Sequence, residues 1–82
     1  MLEELRSSEK IVGAKQSRRA VRDGLARRVF LACDADPALT EPLAAQCGVA
    51  DIPVSSEFTM KELGHAAGIH VGAAVVTLLK NN

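Results

Sequence analysis

The sequence predicts a single α/β domain over residues 1–82, built in three layers, and three observations carry that reading. Helical and strand-like segments alternate along the whole chain, an order that sets helices against a sheet. Val29-Phe30-Leu31-Ala32-Cys33 is an unbroken apolar run, the pattern of a strand covered on both faces. Two helix starts are spelled out by side chains: Asp36-Pro37, and Thr59-Met60-Lys61-Glu62 with its Glu three residues after a Thr.

Residues 2–9 are expected to form a short leading helix, with Leu2 and Leu5 three apart. Lys10–Gly13 reads as a strand that stops at a glycine. A helix is predicted over Gln16–Asp23. Ser17, Ala20, Val21 and Gly24 follow the spacing of a buried stripe. Lys15, Arg18, Arg19 and Arg22 repeat that spacing two residues earlier, which is about 200° of helical rotation and puts them opposite the core. Gly24 sits where a left-handed C-terminal cap belongs. The next strand is expected at Arg28–Cys33. Asp36-Pro37 then opens a short turn, and Thr40-Glu41-Pro42-Leu43 starts a helix that runs to Cys47 and ends at Gly48. Ile52–Ser55 is a short strand, placed at a sheet edge because Pro53 cannot donate to a ladder. The helix opened by Thr59 should reach Ala67, with Gly68 at its C-terminus. Val71–Leu79, β-branched in its second half, reads as a final buried strand.

Composition narrows the function classes. A 48% hydrophobic content is that of a folded chain, and no apolar run is long enough to cross a bilayer. Met1-Leu2-Glu3-Glu4-Leu5 lacks the pattern of a signal peptide. Cys33 and Cys47 lack paired spacing, so neither a disulfide framework nor a zinc site is expected, and a cytoplasmic location follows as the default. Cys33, at the end of an apolar strand, is expected to be a buried small hydrophobe. Net charge is zero, yet Lys10 to Arg28 holds seven basic residues and one acid. A basic patch on a mildly acidic body points to a directed anionic partner or to a solvated helix face.

The chemistry-bearing segment is Gly13-Ala14-Lys15-Gln16, where a glycine leads into a basic helix. A helix N-terminus presents free N–H groups and partial positive charge, which suits a phosphate or a polar nucleic-acid edge. It is not a P-loop, because the second glycine and the Gly-Lys-Ser/Thr ending are missing. Asp34 and Asp36 follow the second strand, but a helix cap and a loop acid account for them better than catalysis does. His65 and His70, five apart, do not share a helix face or make metal spacing. No catalytic constellation, metal or cofactor is expected. Ala67-Gly68-Ile69-His70-Val71-Gly72 carries apolar residues in a tight loop, either tucked into the core or forming an exposed platform. With only two aromatics, Phe30 and Phe58, stacking platforms are disfavoured.

Four segments in order, Val12 to Val21, Ala32 to Pro37, Met60 to Gly64 and Ala67 to Val75, resemble the L-seven-Ae family of ribosomal proteins, most nearly its short bacterial kink-turn RNA-binding members. The resemblance runs from about Lys10 to Leu79. It implies a three-layer α-β-α sandwich around a mixed four-stranded sheet. It also implies binding to kink-turns, RNA duplexes sharply bent at a short bulge flanked by sheared G·A pairs. On that likeness Gly13 and Ala14 make backbone contact in the groove at the bend. Lys15, Gln16 and Arg19 stand where the family reads bases and phosphates, and Asp34 where it has an acid beside the site. Gly68, Ile69, His70 and Val71 lie in the loop that would cover extruded bulge nucleotides. Departures are Ala14 for a common Thr, Arg19 for a Lys, Ala67 for a frequent Cys and His70 for a frequent acid.

The expected function is therefore non-enzymatic recognition and stabilisation of kink-turns in structured RNA (rRNA, a riboswitch or an mRNA element) by a monomer, possible at the ribosome and not at a membrane. The rival readings are a structural ribosomal subunit on rRNA and a small protein-interaction or ligand-binding domain.

Overall fold

In the computed structural model the described residues are 9–80. The leading helix expected over residues 2–9 lies outside them apart from Glu9, which is not helical and whose carbonyl accepts the Leu79 N–H at 2.9 Å. The elements are β1 (Lys10–Val12), α1 (Ala14–Arg22), β2 (Ala26–Leu31), α2 (Pro37–Ala50), β3 (Val54–Ser55), α3 (Met60–Ala66) and β4 (Val75–Leu79). They form one four-stranded sheet in the order β1-β4-β2-β3. β4 runs antiparallel to both β1 and β2, while β3 is parallel to β2, so the sheet is mixed.

Alternation along the central strands creates the three layers. Phe30, Val76 and Leu78 face one side of the sheet and pack with Leu63 and Ala66 of α3. Val29, Leu31 and Val75 face the other side and pack with Ala20 and Val21 of α1 and with Leu43 and Cys47 of α2. β2 and β4 are thus covered on both faces, as the apolar run of β2 predicts. Ala26 shares a face with Val29, although an odd separation should put them on opposite faces. A register shift between Ala26 and Arg28 supplies the extra residue, which is what a bulge does. Arg27 and Arg28, at this shift, are half-buried, and Arg28 Nη1 donates to Ser55 Oγ at 3.1 Å.

Several boundaries differ from the sequence reading for identifiable reasons. α1 begins at Ala14, two residues before the expected Gln16. Gly24 is exposed rather than part of the buried stripe, but its φ of 73° makes it the left-handed residue that ends α1. The Gly24 N–H donates to Val21 O and the Leu25 N–H to Ala20 O, a paired closure of the last turn. β2 ends at Leu31, where its partner β4 begins at Val75. Cys33 therefore falls outside the strand and is exposed, contrary to the expected buried thiol. Cys47 is buried, and burial pushes its thiol up from the ordinary range.

The expected turn and helix over residues 36–47 are a single helix of 14 residues that includes both Pro42 and Gly48. Asp36 caps it by accepting the Ala38 N–H at 3.0 Å. Pro42 in a helix interior costs about 3 kcal/mol, but Leu43 and Cys47, both after it in the helix, are fully buried, and burying a side chain of Leu size returns about 1.5–3 kcal/mol. The helix ends at Asp51, with φ 60°, a conformation that Asp tolerates better than most side chains. β3 is shorter than the expected Ile52–Ser55, yet it lies at the sheet edge where Pro53 required it. β4 starts at Val75 rather than Val71.

Ser17 Oγ and Thr77 Oγ1 are buried without a hydrogen-bond partner among the described residues. Thr77 lies on the same face of β4 as Val75, and an unpaired buried hydroxyl costs about 1–3 kcal/mol. Thr77→Val keeps the shape and removes that cost, so its urea midpoint should rise by the equivalent of about 1 kcal/mol. A fall in the midpoint would show that the hydroxyl has a partner.

Candidate nucleic-acid interface

The first part of the site is the turn between β1 and α1. The Gly13 N–H donates to Val75 O at 3.0 Å, which holds the turn against the start of β4. Its φ of 121° lies in a region essentially reserved for glycine. The Gly13 carbonyl accepts the Ser17 N–H at 3.1 Å and so begins the helix. Among the described residues no side chain caps this N-terminus, and no acid occupies its first turn, leaving its N–H groups and partial positive charge for another ligand. Ala14 is half-buried against the α1–α2 face of the core. Lys15, Gln16, Arg18, Arg19 and Arg22 are exposed, while Ser17, Ala20 and Val21 are buried. The basic stripe thus faces away from the core.

The second part is the segment after α3. Thr59 and Glu62 close a reciprocal capping box at the start of that helix. At its end Gly68, φ 81°, donates to His65 O, and Ile69 donates to Gly64 O, the paired closure also seen in α1. The segment then turns back along the helix, and the Ala73 N–H donates to Met60 O at 3.0 Å. Two glycines allow this close approach. A Cβ on Gly64 would overlap the Val71 carbonyl oxygen, and one on Gly72 would come within 3.1 Å of Met60 Cβ. The two readings of this loop divide between its residues. Ile69 is half-buried and packs on the Phe30–Leu63 face of the core, whereas Val71 is 71% exposed. Gly68 and His70 are also exposed.

Asp34 lies beside the second part. Its Oδ1 accepts the Met60 N–H at 2.8 Å, and the neighbouring Cys33 N–H donates to Phe58 O at 2.8 Å. The loop after β2 is thereby fastened to the start of α3. Asp34 and Asp36 serve two different helix starts rather than one carboxylate pair. A hollow of about 540 Å³ lies here, walled by Asp34, Met60, Lys61, His65, His70 and Val71 among others.

The fold gathers these segments at one end of the sheet. Gly13 bonds to Val75, and the Ala32 N–H bonds to Ala74 O at 2.9 Å. The β1–α1 turn, the loop carrying Asp34 and the loop carrying Gly68 to Val71 therefore share one rim. Sequence reasoning named Gly13, Ala14, Lys15, Gln16, Arg19, Asp34, Gly68, Ile69, His70 and Val71. It missed Met60 and Lys61 beside the hollow, and it missed Gly64 and Gly72. A glycine inside a helical pattern is a signal for close backbone approach, and Gly64 carried that signal.

Over residues 2–82 the chain matches the model of the ribosomal protein L7Ae/L30e/S12e/Gadd45 family. It is 40% identical to the RNA-binding protein YbxF of Geobacillus stearothermophilus over 76 residues, 93% of each chain. It is 43% identical to an RNA-binding protein of Bacillus pumilus over 72 residues, 84% of each. Among solved structures, a protein of unknown function from Bacillus halodurans superposes with a TM-score of 0.88 at 26% identity, covering 96% of this chain and 83% of that one. The Giardia lamblia 15.5kD RNA binding protein superposes with a TM-score of 0.87 at 25% identity, covering 99% and 69%.

Proposed function

The chain belongs to the ribosomal protein L7Ae/L30e/S12e/Gadd45 family, and from that premise we propose that it recognises kink-turns in structured RNA and stabilises their bent form. It is an RNA-binding protein of that family and not an enzyme. The observation that carries the finer reading is the convergence of the uncapped basic helix start, the Asp34 loop and the Gly68–Val71 loop on one rim of the sheet.

The chemistry follows from what RNA offers. A regular A-form major groove is too narrow for side chains, so a protein reads bases there only at a distortion. At an opened groove Lys15 donates to guanine O6 or N7, and Gln16 supplies both a donor and an acceptor. Gly13 lets the backbone come close, because nothing projects from its Cα. Val71 offers aliphatic surface against which an unstacked base loses water, worth about 25 cal/mol per Å² buried. Because these groups fit the bent RNA and not the straight one, binding shifts the population toward the bend. The same reading has the protein act as a cytoplasmic monomer.

Titration of a kink-turn and of a straight duplex of equal length tests it. The kink-turn should bind more tightly, and its affinity should fall with salt with a log–log slope near −3, as expected when about three or four phosphates are neutralised. Equal affinity for both RNAs would remove kink-turn recognition, and a flat salt profile would remove the basic helix from the interface.

A further inference from the structure

The basic stripe of α1 is one wall of a groove whose other wall is α2. Lys15, Arg18, Arg19 and Arg22 line it together with Leu39 and Gln46 of α2, and its volume is about 650 Å³. It opens directly from the rim, since Lys15 belongs to both. We propose that this groove holds a run of sugar–phosphate backbone from an RNA stem that continues past the bend. The proposal rests on the RNA-binding reading above and extends it to a second contact surface.

The composition of the two walls carries the argument. The α1 wall supplies four cations and no acid. Along the helix, Lys15 to Arg22 spans about 10 Å, enough to face more than one phosphate of a backbone running along the groove. The α2 wall brings no charge into the groove. Leu39 is 48% exposed there, an aliphatic surface for ribose. Gln46 Nε2 donates to the Arg18 carbonyl at 3.1 Å, which fixes the amide and leaves its oxygen and second N–H free of that bond. An amide that can both accept and donate matches the 2′-hydroxyl, itself donor and acceptor. Cations beside an aliphatic patch and a fixed amide are complementary to phosphate, ribose and 2′-hydroxyl in turn. Such contacts add affinity and position without reading sequence.

The far end of the groove is partly neutralised. Arg22 Nε lies 3.0 Å from Asp23 Oδ1, an exposed pair, and this partner holds the Arg22 guanidinium above its ordinary pKa through the hydrogen bond and the charge. Arg22 is thus the weaker phosphate ligand and Arg18 the stronger, and removing the Asp23 carboxylate should strengthen the groove.

Two kink-turn RNAs test the assignment, one with minimal flanking stems and one with a stem extended by a helical turn, each titrated at several salt concentrations. The wild type should bind the extended RNA several-fold more tightly. Arg18→Gln and Leu39→Glu should each abolish that advantage and reduce the salt slope on the extended RNA by about one; on the minimal RNA Arg18→Gln should cost less than on the extended one, and Leu39→Glu, away from the rim, should change affinity less than twofold. Asp23→Asn should raise affinity for the extended RNA two- to threefold, a gain that misfolding cannot produce. Equal affinity of the wild type for both RNAs, or equal losses on both in Arg18→Gln, overturns the groove while leaving the rim intact. Failure to bind either RNA overturns both readings. If polyaspartate at equal charge removes the stem advantage as well as an RNA duplex does, the groove is a general anion surface and the RNA assignment falls.

Discussion

Gly64→Ala should lower folding stability by about 3 kcal/mol, the upper range for overpacking a close contact. Two effects of opposite sign meet at this position. Gly64 lies inside α3, where alanine is intrinsically better by about 1 kcal/mol. Against that, the added methyl would overlap the backbone carbonyl of Val71, with the Gly72 Cα at 3.1 Å. A backbone atom cannot rotate aside as the tip of a side chain can. The segment over α3 is also held at both ends, by Ile69 N–H on Gly64 O and Ala73 N–H on Met60 O. The steric term therefore wins. Urea unfolding measures the sign, and an increase in stability would mean that the loop stands clear of the helix. Where the variant still folds, Val71 should move from its place beside Met60 and Lys61, and RNA affinity should weaken with it.

Lys15→Ala should weaken kink-turn binding by about 1–3 kcal/mol, the worth of a good side-chain pair with a guanine edge, which is roughly 5- to 150-fold. The fold should not suffer, because Lys15 is exposed in the first turn of α1 and alanine is the better helix former. The loss should be far smaller on a straight duplex, whose narrow groove denies the side chain its base edge. Arg22→Ala supplies the contrast. It lies at the other end of the stripe, partly engaged by Asp23, and should cost a similar small factor on bent and straight RNAs of equal stem length. Equal losses for Lys15→Ala on bent and straight RNA would reduce Lys15 to a phosphate contact.

Much of the candidate interface was legible because its signals are local. The Gly13 turn, the basic stripe opposite Ser17, Ala20 and Val21, and the caps at Asp36 and Thr59–Glu62 depend on residues within one or two helical turns of each other. The same holds for Gly24 and Gly68, whose positive φ closes the helices before them. Resemblance then named the loop residues that spacing alone left open between core and surface. Once folded, Ile69 and Val71 divide that choice, one half-buried and the other exposed.

What the sequence determined by itself was the order of elements, the two-sided burial of the central strand and the charge of one helix face, since each follows from the period and chemistry of neighbouring residues. The tertiary structure alone decided how far each element extends and what meets at the rim. β2 stops at Leu31 because its ladder partner starts at Val75, so Cys33 is left outside. α2 continues through Pro42 because Leu43 and Cys47 both find buried places on the sheet. The loop lies against α3 because Gly64 and Gly72 leave room for Val71 and Met60 on the facing segment. Ladder length, burial and close approach are properties of pairs of segments, and a pair acquires its energy only when the fold brings both members together.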